Sequence, residues 1–288
     1  MRLRRLGAPL ALFAFALALA GCGSSGSGTP LVPTVAPART FKLGDFEPGA
    51  SVAPHHAITV SFHIVLPSGQ TLTHFRTGPG PHTGVHLILV RNDLSVIVHK
   101  HPKIAPDGTV RQSVVLPEPG RYHVLVDVYP IIPATPQLVN FQMTTSLLAR
   151  GHATNVPLPP YSPSVTVRGY HVKILKTPRI SALTPAFVTI RIRNPQGTSP
   201  QLEPWFGALA HAIFFRVGSL AYFHTHICAP SAPGCSSLVG GKALTGRGTS
   251  NGLLHVGILL PQSGTWRLFL QFQVDHHILT APFTLQAH

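Results

Sequence analysis

An internal repeat constrains this chain more than any other feature. The stretches beginning at Val85 and at Ala210 both read His-x12-His-x-His, with His86, His99 and His101 in the first copy and His211, His224 and His226 in the second. Downstream, Leu116-Pro117-x-x-Gly120-x-Tyr122 matches Leu260-Pro261-x-x-Gly264-x-Trp266. The spacing between copies grows from 125 (His86 to His211) to 144 (Gly120 to Gly264), so the second copy carries an insertion of 19 residues. Self-similarity on this scale means one fold made twice. The expected organisation is a first domain over residues 41–150, a Pro-rich linker over 151–163 and a second domain over 164–288.

Each copy is built from short runs of Val, Ile, Thr and Phe separated by turn residues. The 29 Pro and 26 Gly leave no long stretch of helical period. Closely spaced strands with turn signals predict an all-β fold, two tandem antiparallel β-sandwich domains. Tyr122, Val124 and Val126 share one face of a strand, as do Trp266, Leu268 and Leu270, and both sets are expected in a core.

The histidine spacing reads as chemistry through a hairpin. With Asn92-Asp93 as a two-residue loop, His86 lies opposite His99, and His101 follows on the same face. A turn at Val217-Gly218 sets His211 opposite His224 with His226 beside it. Opposed side chains have Cβ atoms roughly 5 Å apart, so three imidazoles per hairpin can converge on one ion, giving one site per copy. Imidazole nitrogen suits copper and zinc. With no acidic residue inside either triad, copper is the first choice and zinc the second. The competing reading is a duplicated structural cluster, its imidazoles hydrogen-bonded to backbone, in a non-catalytic adhesion or assembly module. His82 and His255 are unmatched between copies and are minor candidate donors. His55, His56, His152 and His288 read as surface groups, and His276-His277 as either a turn or part of a site.

Cys228 continues the alternation of His224 and His226 and could add a sulfur ligand; its other role is a disulfide with Cys235, pinning the inserted loop. The disulfide is preferred because the two cysteines are close in sequence with Pro and Gly between them. The third cysteine, Cys22, has a different setting. Arg2, Arg4 and Arg5 precede an apolar run from Leu10 to Ala20, too short to span a bilayer and typical of an export signal. The run ends Leu19-Ala20-Gly21-Cys22, which resembles a bacterial lipobox, whose cysteine is lipidated. Residues 1–21 are therefore expected to be a signal peptide. The Gly/Ser- and Pro-rich residues 22–40 are expected to be a flexible tether. The mature chain is expected on the cell membrane, lipid-anchored and facing the periplasm or exterior.

Of the remaining function classes, nucleic-acid binding is disfavoured: 22 basic residues outnumber 8 acidic ones, but they are scattered rather than clustered. No nucleophile elbow, phosphate loop, His-Glu-x-x-His or catalytic carboxylate pair is present, so an enzyme is not expected. The expected partners are the membrane, through the lipid, and a metal-donor or metal-acceptor protein.

The pattern of His86, Asp93, Leu94, His99, His101, Pro102, Gly120 and Tyr122 resembles the small immunoglobulin-like or cupredoxin-like domains of secreted actinobacterial proteins associated with metal handling. In the second copy the matching residues are His211, Leu220, His224, His226, Gly264 and Trp266. Ser219 stands where the turn Asp would be, and Ile227 where Pro102 is. The resemblance implies the sandwich fold and a metal-handling role.

Overall fold

The computed structural model describes residues 40–49, 51–78, 80–133, 139–229, 238–239, 242–243 and 246–288. Every regular element among them is a β-strand. The first copy contains β1 (Lys42–Glu47), β2 (Ala57–Val65), β3 (Val85–Arg91), β4 (Ile97–Lys100), β5 (Lys103–Ile104), β6 (Val110–Val115), β7 (Gly120–Val128) and β8 (Phe141–Ala149). The second contains β9 (Ser164–Val167), β10 (Tyr170–Ile174), β11 (Ala186–Arg193), β12 (Ala210–Arg216), β13 (Tyr222–Cys228), β14 (Leu238–Val239), β15 (Lys242–Ala243), β16 (Gly246–Gly248), β17 (Leu253–Ile258), β18 (Gly264–Val274) and β19 (His277–Ala287).

In the first copy two four-stranded sheets, β1-β2-β6-β5 and β4-β3-β7-β8, close on a core that includes Val60, Phe62, Leu87, Leu89, Tyr122, Val124 and Val126. The second copy repeats the plan, with Ala212, Phe214, Trp266, Leu268 and Leu270 in its core. The expected all-β sandwich fold and the core roles of Tyr122 and Trp266 are thus what the chain adopts. These two aromatics close the same corner in each copy: the Tyr122 hydroxyl donates to Glu118 O (2.9 Å) and the Trp266 indole N–H to Gln262 O (3.0 Å). Gly120 and Gly264 open the strands that carry them, at φ of 130° and 115°. A Cβ there would meet the guanidinium of Arg91 at 2.9 Å or of Arg216 at 3.0 Å, so glycine serves both conformation and close approach.

The copies differ where the first has Pro102. Lacking an N–H, Pro102 cannot continue the ladder of β4, and the chain crosses to the opposite sheet as β5. In the second copy Ile227 extends β13, which pairs in parallel with β16 through Ile227↔Gly246. Its two sheets thereby join into one nine-stranded sheet, β19-β18-β12-β13-β16-β17-β11-β10-β9.

The hairpin loops are longer than the two residues expected. Arg91 N donates to Val96 O and Arg216 N to Ala221 O, leaving four-residue loops, Asn92–Ser95 and Val217–Leu220. Leu94 (φ 59°) and Leu220 (φ 55°) adopt left-handed conformations within them. Each leucine packs into a third apolar cluster, a contact that offsets the backbone strain.

That third cluster joins the two copies. Ile88, Val90, Leu94 and Leu125 of the first meet Ile213, Phe215 and Phe269 of the second. Alternation explains it: Leu87 and Leu89 face their own core, so Ile88 and Val90 face outward, and β12 divides its residues the same way. The strands β3 and β12 are buried on both faces, which accounts for their nearly unbroken apolar sequences. Residues Gly151–Pro163, the expected linker, form no strand; they run along the first copy, with Val156 N donating to Asp93 Oδ2 (3.0 Å) and Thr154 O accepting from Arg91.

Candidate metal centre

The outward face that supplies the apolar joint also supplies the histidines. Along β3 it carries His86, Ile88 and Val90, and along β12 His211, Ile213 and Phe215. The joint between the copies is thus apolar on one side and imidazole-lined on the other.

The longer loops shift each hairpin register by two residues. His99 lies opposite Ile88, not His86, and the ladder Leu87↔Lys100 continues to bring His101 beside His86. In the second copy His211 faces His226, and His224 faces Ile213. An even shift preserves the face, so the expected opposition of His86 to His99 and of His211 to His224 is corrected, while all six side chains remain on one side of their hairpins.

The expectation of one site per copy is also corrected, because the two imidazole faces meet. Ring centroids lie 4.1 Å apart for His86 and His101 and 4.3 Å for His224 and His226. Between copies, His86 is 5.2 Å from His224 and His99 is 5.2 Å from His211. Among the described residues, three sets of ligand atoms each fall within 4.8 Å of one another: His86, His99 and His101; His86, His224 and His226; and His99, His211 and His224. The first-copy triad converges by itself. The second-copy histidines form their sets with His86 or His99, so the centre is shared.

Backbone and amide oxygens select the free nitrogen of His86, His99 and His211. A carbonyl only accepts, so His86 donates Nε2–H to Pro81 O (2.9 Å) and its lone pair sits on Nδ1. His211 donates Nε2–H to Trp205 O (3.0 Å), and its Nδ1 turns to His224 Nε2 at 3.3 Å. His99 donates Nδ1–H to Gln271 Oε1 (3.0 Å), freeing Nε2. His86 Nδ1, His99 Nε2, His101 Nε2, His224 Nδ1 and His226 Nε2 are buried with no hydrogen-bond partner. A sandwich interior seldom tolerates so many bare nitrogens in one place, since each forfeits hydration for nothing.

Burial, with the repulsion of neighbouring histidines, lowers every member's affinity for protons. His86 falls to about 3, first through burial and then through His211, and His211 to about 4, mainly through burial. His99, His101, His224 and His226 are also lowered, burial leading in each. Six neutral imidazoles with oriented lone pairs are the form in which histidine ligates a metal.

His82, expected as a minor donor, reaches the centre, and several other contributors were not singled out from the sequence. His82 Nε2 lies 3.1 Å from His226 Nδ1, extending the centre outward. Phe206 stacks on His101 (3.8 Å, 8°), and Trp205 edges onto His99 at 5.4 Å, so this turn covers the centre. Gln271 faces His211 across β18, and Asp127 occupies the same place facing His86 across β7. One polar residue at matching positions of two apolar runs, Val124–Val128 and Leu268–Phe272, was a legible signal for both. Asp127 is buried, which raises its carboxyl to about 7, and it accepts from Asn140 (2.9 Å) and Tyr222 (3.4 Å). The acidic group absent from the triads therefore lies next to them. Beside His99, Trp205 and Gln271 a groove of about 350 Å³ opens, walled by both copies.

Other candidates fall away from the centre. His255 is exposed and bonds Thr189, and His55, His56, His152, His276, His277 and His288 are exposed. His276 lies in the left-handed turn before β19, with Glu203 Oε2 3.2 Å from its Nδ1. Cys228 is disulfide-bonded and so offers no thiolate. Cys235, Cys22, the signal segment and the tether up to residue 39 lie outside the described residues.

A domain of unknown function, DUF8832, matches residues 165–288, the second copy. No curated protein matches the chain significantly. Among solved structures the chain is similar to invasin, a bacterial integrin-binding protein (14% identity, TM-score 0.21), covering 86% of this chain and 39% of that one. It is also similar to fibronectin(III)-like modules of Clostridium thermocellum CbhA (10% identity, TM-score 0.21, covering 86% and 93%) and to titin domains Z1Z2 (11% identity, TM-score 0.20, covering 86% and 94%). Superpositions this weak carry no functional argument, and the fold class rests on the strand pairing itself.

Proposed function

We propose that this protein binds a transition metal, copper or zinc, in the histidine centre between its two repeats, and that it does so outside the cytoplasm for metal handling or trafficking. The observation that carries this reading is the set of five buried ring nitrogens without partners, all in one cluster of neutral imidazoles. Ligation of soft or borderline metal ions would satisfy them. The backbone bonds of His86 and His211 favour a second reading, a structural cluster in an adhesion or assembly module, but they occupy only one nitrogen of each ring. Binding rather than catalysis is the proposed activity, with a metal-donor or metal-acceptor protein as partner.

Each of the three ligand sets contains His86 or His99. The full-length chain, purified in detergent and dialysed, is expected to retain stoichiometric copper or zinc. His86→Ala combined with His99→Ala is expected to remove all of it, including metal held by second-copy histidines, while circular dichroism keeps its β signature. Separate sites would leave the second copy loaded. Metal-free wild type that unfolds on the same substitutions would establish the structural reading.

Attachment through Cys22 is the second part of the proposal and rests on the export signal and the lipobox-like Leu19-Ala20-Gly21-Cys22. Cys22→Ser is expected to abolish incorporation of labelled fatty acid and release the chain from membranes. Unchanged labelling would remove the anchor.

A further inference from the structure

The centre holds more donor atoms than one ion can use, and one histidine stands apart in what it can offer. Zinc and copper at imidazole sites take about four ligands, whereas six rings converge here. His86, His99 and His224 each belong to two of the three sets. His86 has committed Nε2 to Pro81 O, and His99 has committed Nδ1 to Gln271 Oε1, so each can give one nitrogen only. His224 has made no such commitment. Its Nε2 lies 3.3 Å from the Nδ1 of His211, and its Nδ1 is buried with no partner.

We propose that the centre takes two metal ions bridged by the imidazole ring of His224. Nε2 of His224 joins His99 Nε2 and His211 Nδ1 on one ion, and Nδ1 joins His86 Nδ1 and His226 Nε2 on the other. His101, which forms a set with His86 and His99 and has a buried Nε2 without a partner, is an additional donor. As the second ion binds, His224 gives up its remaining ring proton to solvent and becomes an imidazolate; no electron moves and no other bond changes. Each ion then draws ligands from both repeats, so the pair clamps the two sandwiches together. This inference rests on the metal-binding reading above and specifies its stoichiometry.

The test is a titration of the full chain with copper(II), read by bound copper per chain and by electron paramagnetic resonance. The wild type is expected to bind two copper ions and to give an integrated signal far below the copper bound, because an imidazolate couples the two spins. His226→Ala removes a ligand of one ion only; it is expected to bind one copper with a full, uncoupled signal. Should that variant lose its fold, His86→Gln, which removes a donor to the same ion, is read in its place. One copper per wild-type chain, or two with full signal intensity, overturns the bridge while leaving metal binding intact. No copper at all overturns both.

Discussion

Phe215→Ala is expected to cost about 3–5 kcal/mol of folding stability and to weaken metal binding at the histidine centre at least tenfold. Phe215 is completely buried in the apolar joint, against Ile88, Val90 and Leu125 of the other copy, and its ring packs on Tyr222 (5.4 Å). It shares a strand face with His211, and the joint holds the two imidazole faces in register. A cavity there lets the copies shift, and a shift of even an ångström pulls donor atoms apart that must converge within about 2 Å of an ion. Phe214→Ala is the control, since Phe214 is equally buried but points into the core of its own copy. It is expected to destabilise to a similar degree with a much smaller effect on affinity. Urea unfolding and metal titration of both variants decide the matter, and equal loss of affinity in the two would refute the joint as the positioning element.

Stability of the metal-free protein is expected to collapse in mild acid. An unfolded histidine takes up a proton near pH 6.5, whereas His86 and His211 in the folded protein resist until about 3 and about 4, chiefly because they are buried. Above pH 6.5 both states are neutral and the stability is fully present. As pH falls from 6.5 towards 4 the unfolded chain alone gains protons, and each such histidine costs about 1.4 kcal/mol per pH unit. His99, His101, His224 and His226 shift in the same direction and steepen the fall. Asp127 acts with the opposite sign: its carboxyl is raised to about 7 by burial, so its contribution is complete below pH 4 and lost as pH rises through 7. One carboxyl cannot offset six imidazoles, so denaturant midpoints measured at pH 7.5, 6 and 4.5 are expected to drop steeply. A flat profile across that range would mean that the rings are not buried as a neutral cluster. Saturating zinc or copper at pH 7.5 is expected to raise the midpoint, because the ion binds only the folded arrangement.

The two copies show which features of a centre can be read along a chain. The spacing of His86, His99 and His101 placed three imidazoles on one face, and that survived an error in the loop. The turn was expected at Asn92-Asp93, but the buried Leu94 and the partly buried Leu220 draw their loops out to four residues to reach the apolar joint. Local turn preference lost to packing, and parity was kept because the error was even. Asp127 and Gln271 were legible as the single polar residues of the matched apolar runs Val124–Val128 and Leu268–Phe272. Trp205 and Phe206 were not, because they lie in an irregular stretch with no counterpart in the repeat and reach the centre only through the fold.

Sequence alone determined the duplicated all-β plan, the core aromatics Tyr122 and Trp266, and the face on which each set of histidines stands, because alternation along a strand and the duplication itself are local properties. Only the tertiary structure decided that the two faces meet. The run from Leu87 to Val90 demands burial on both sides, but it cannot say what provides the second cover. Once Ile213, Phe215 and Phe269 of the other repeat provide it, two separate triads become one centre, and the free nitrogens of His86, His211 and His99 are chosen by Pro81 O, Trp205 O and Gln271 Oε1, the last of them from the opposite copy.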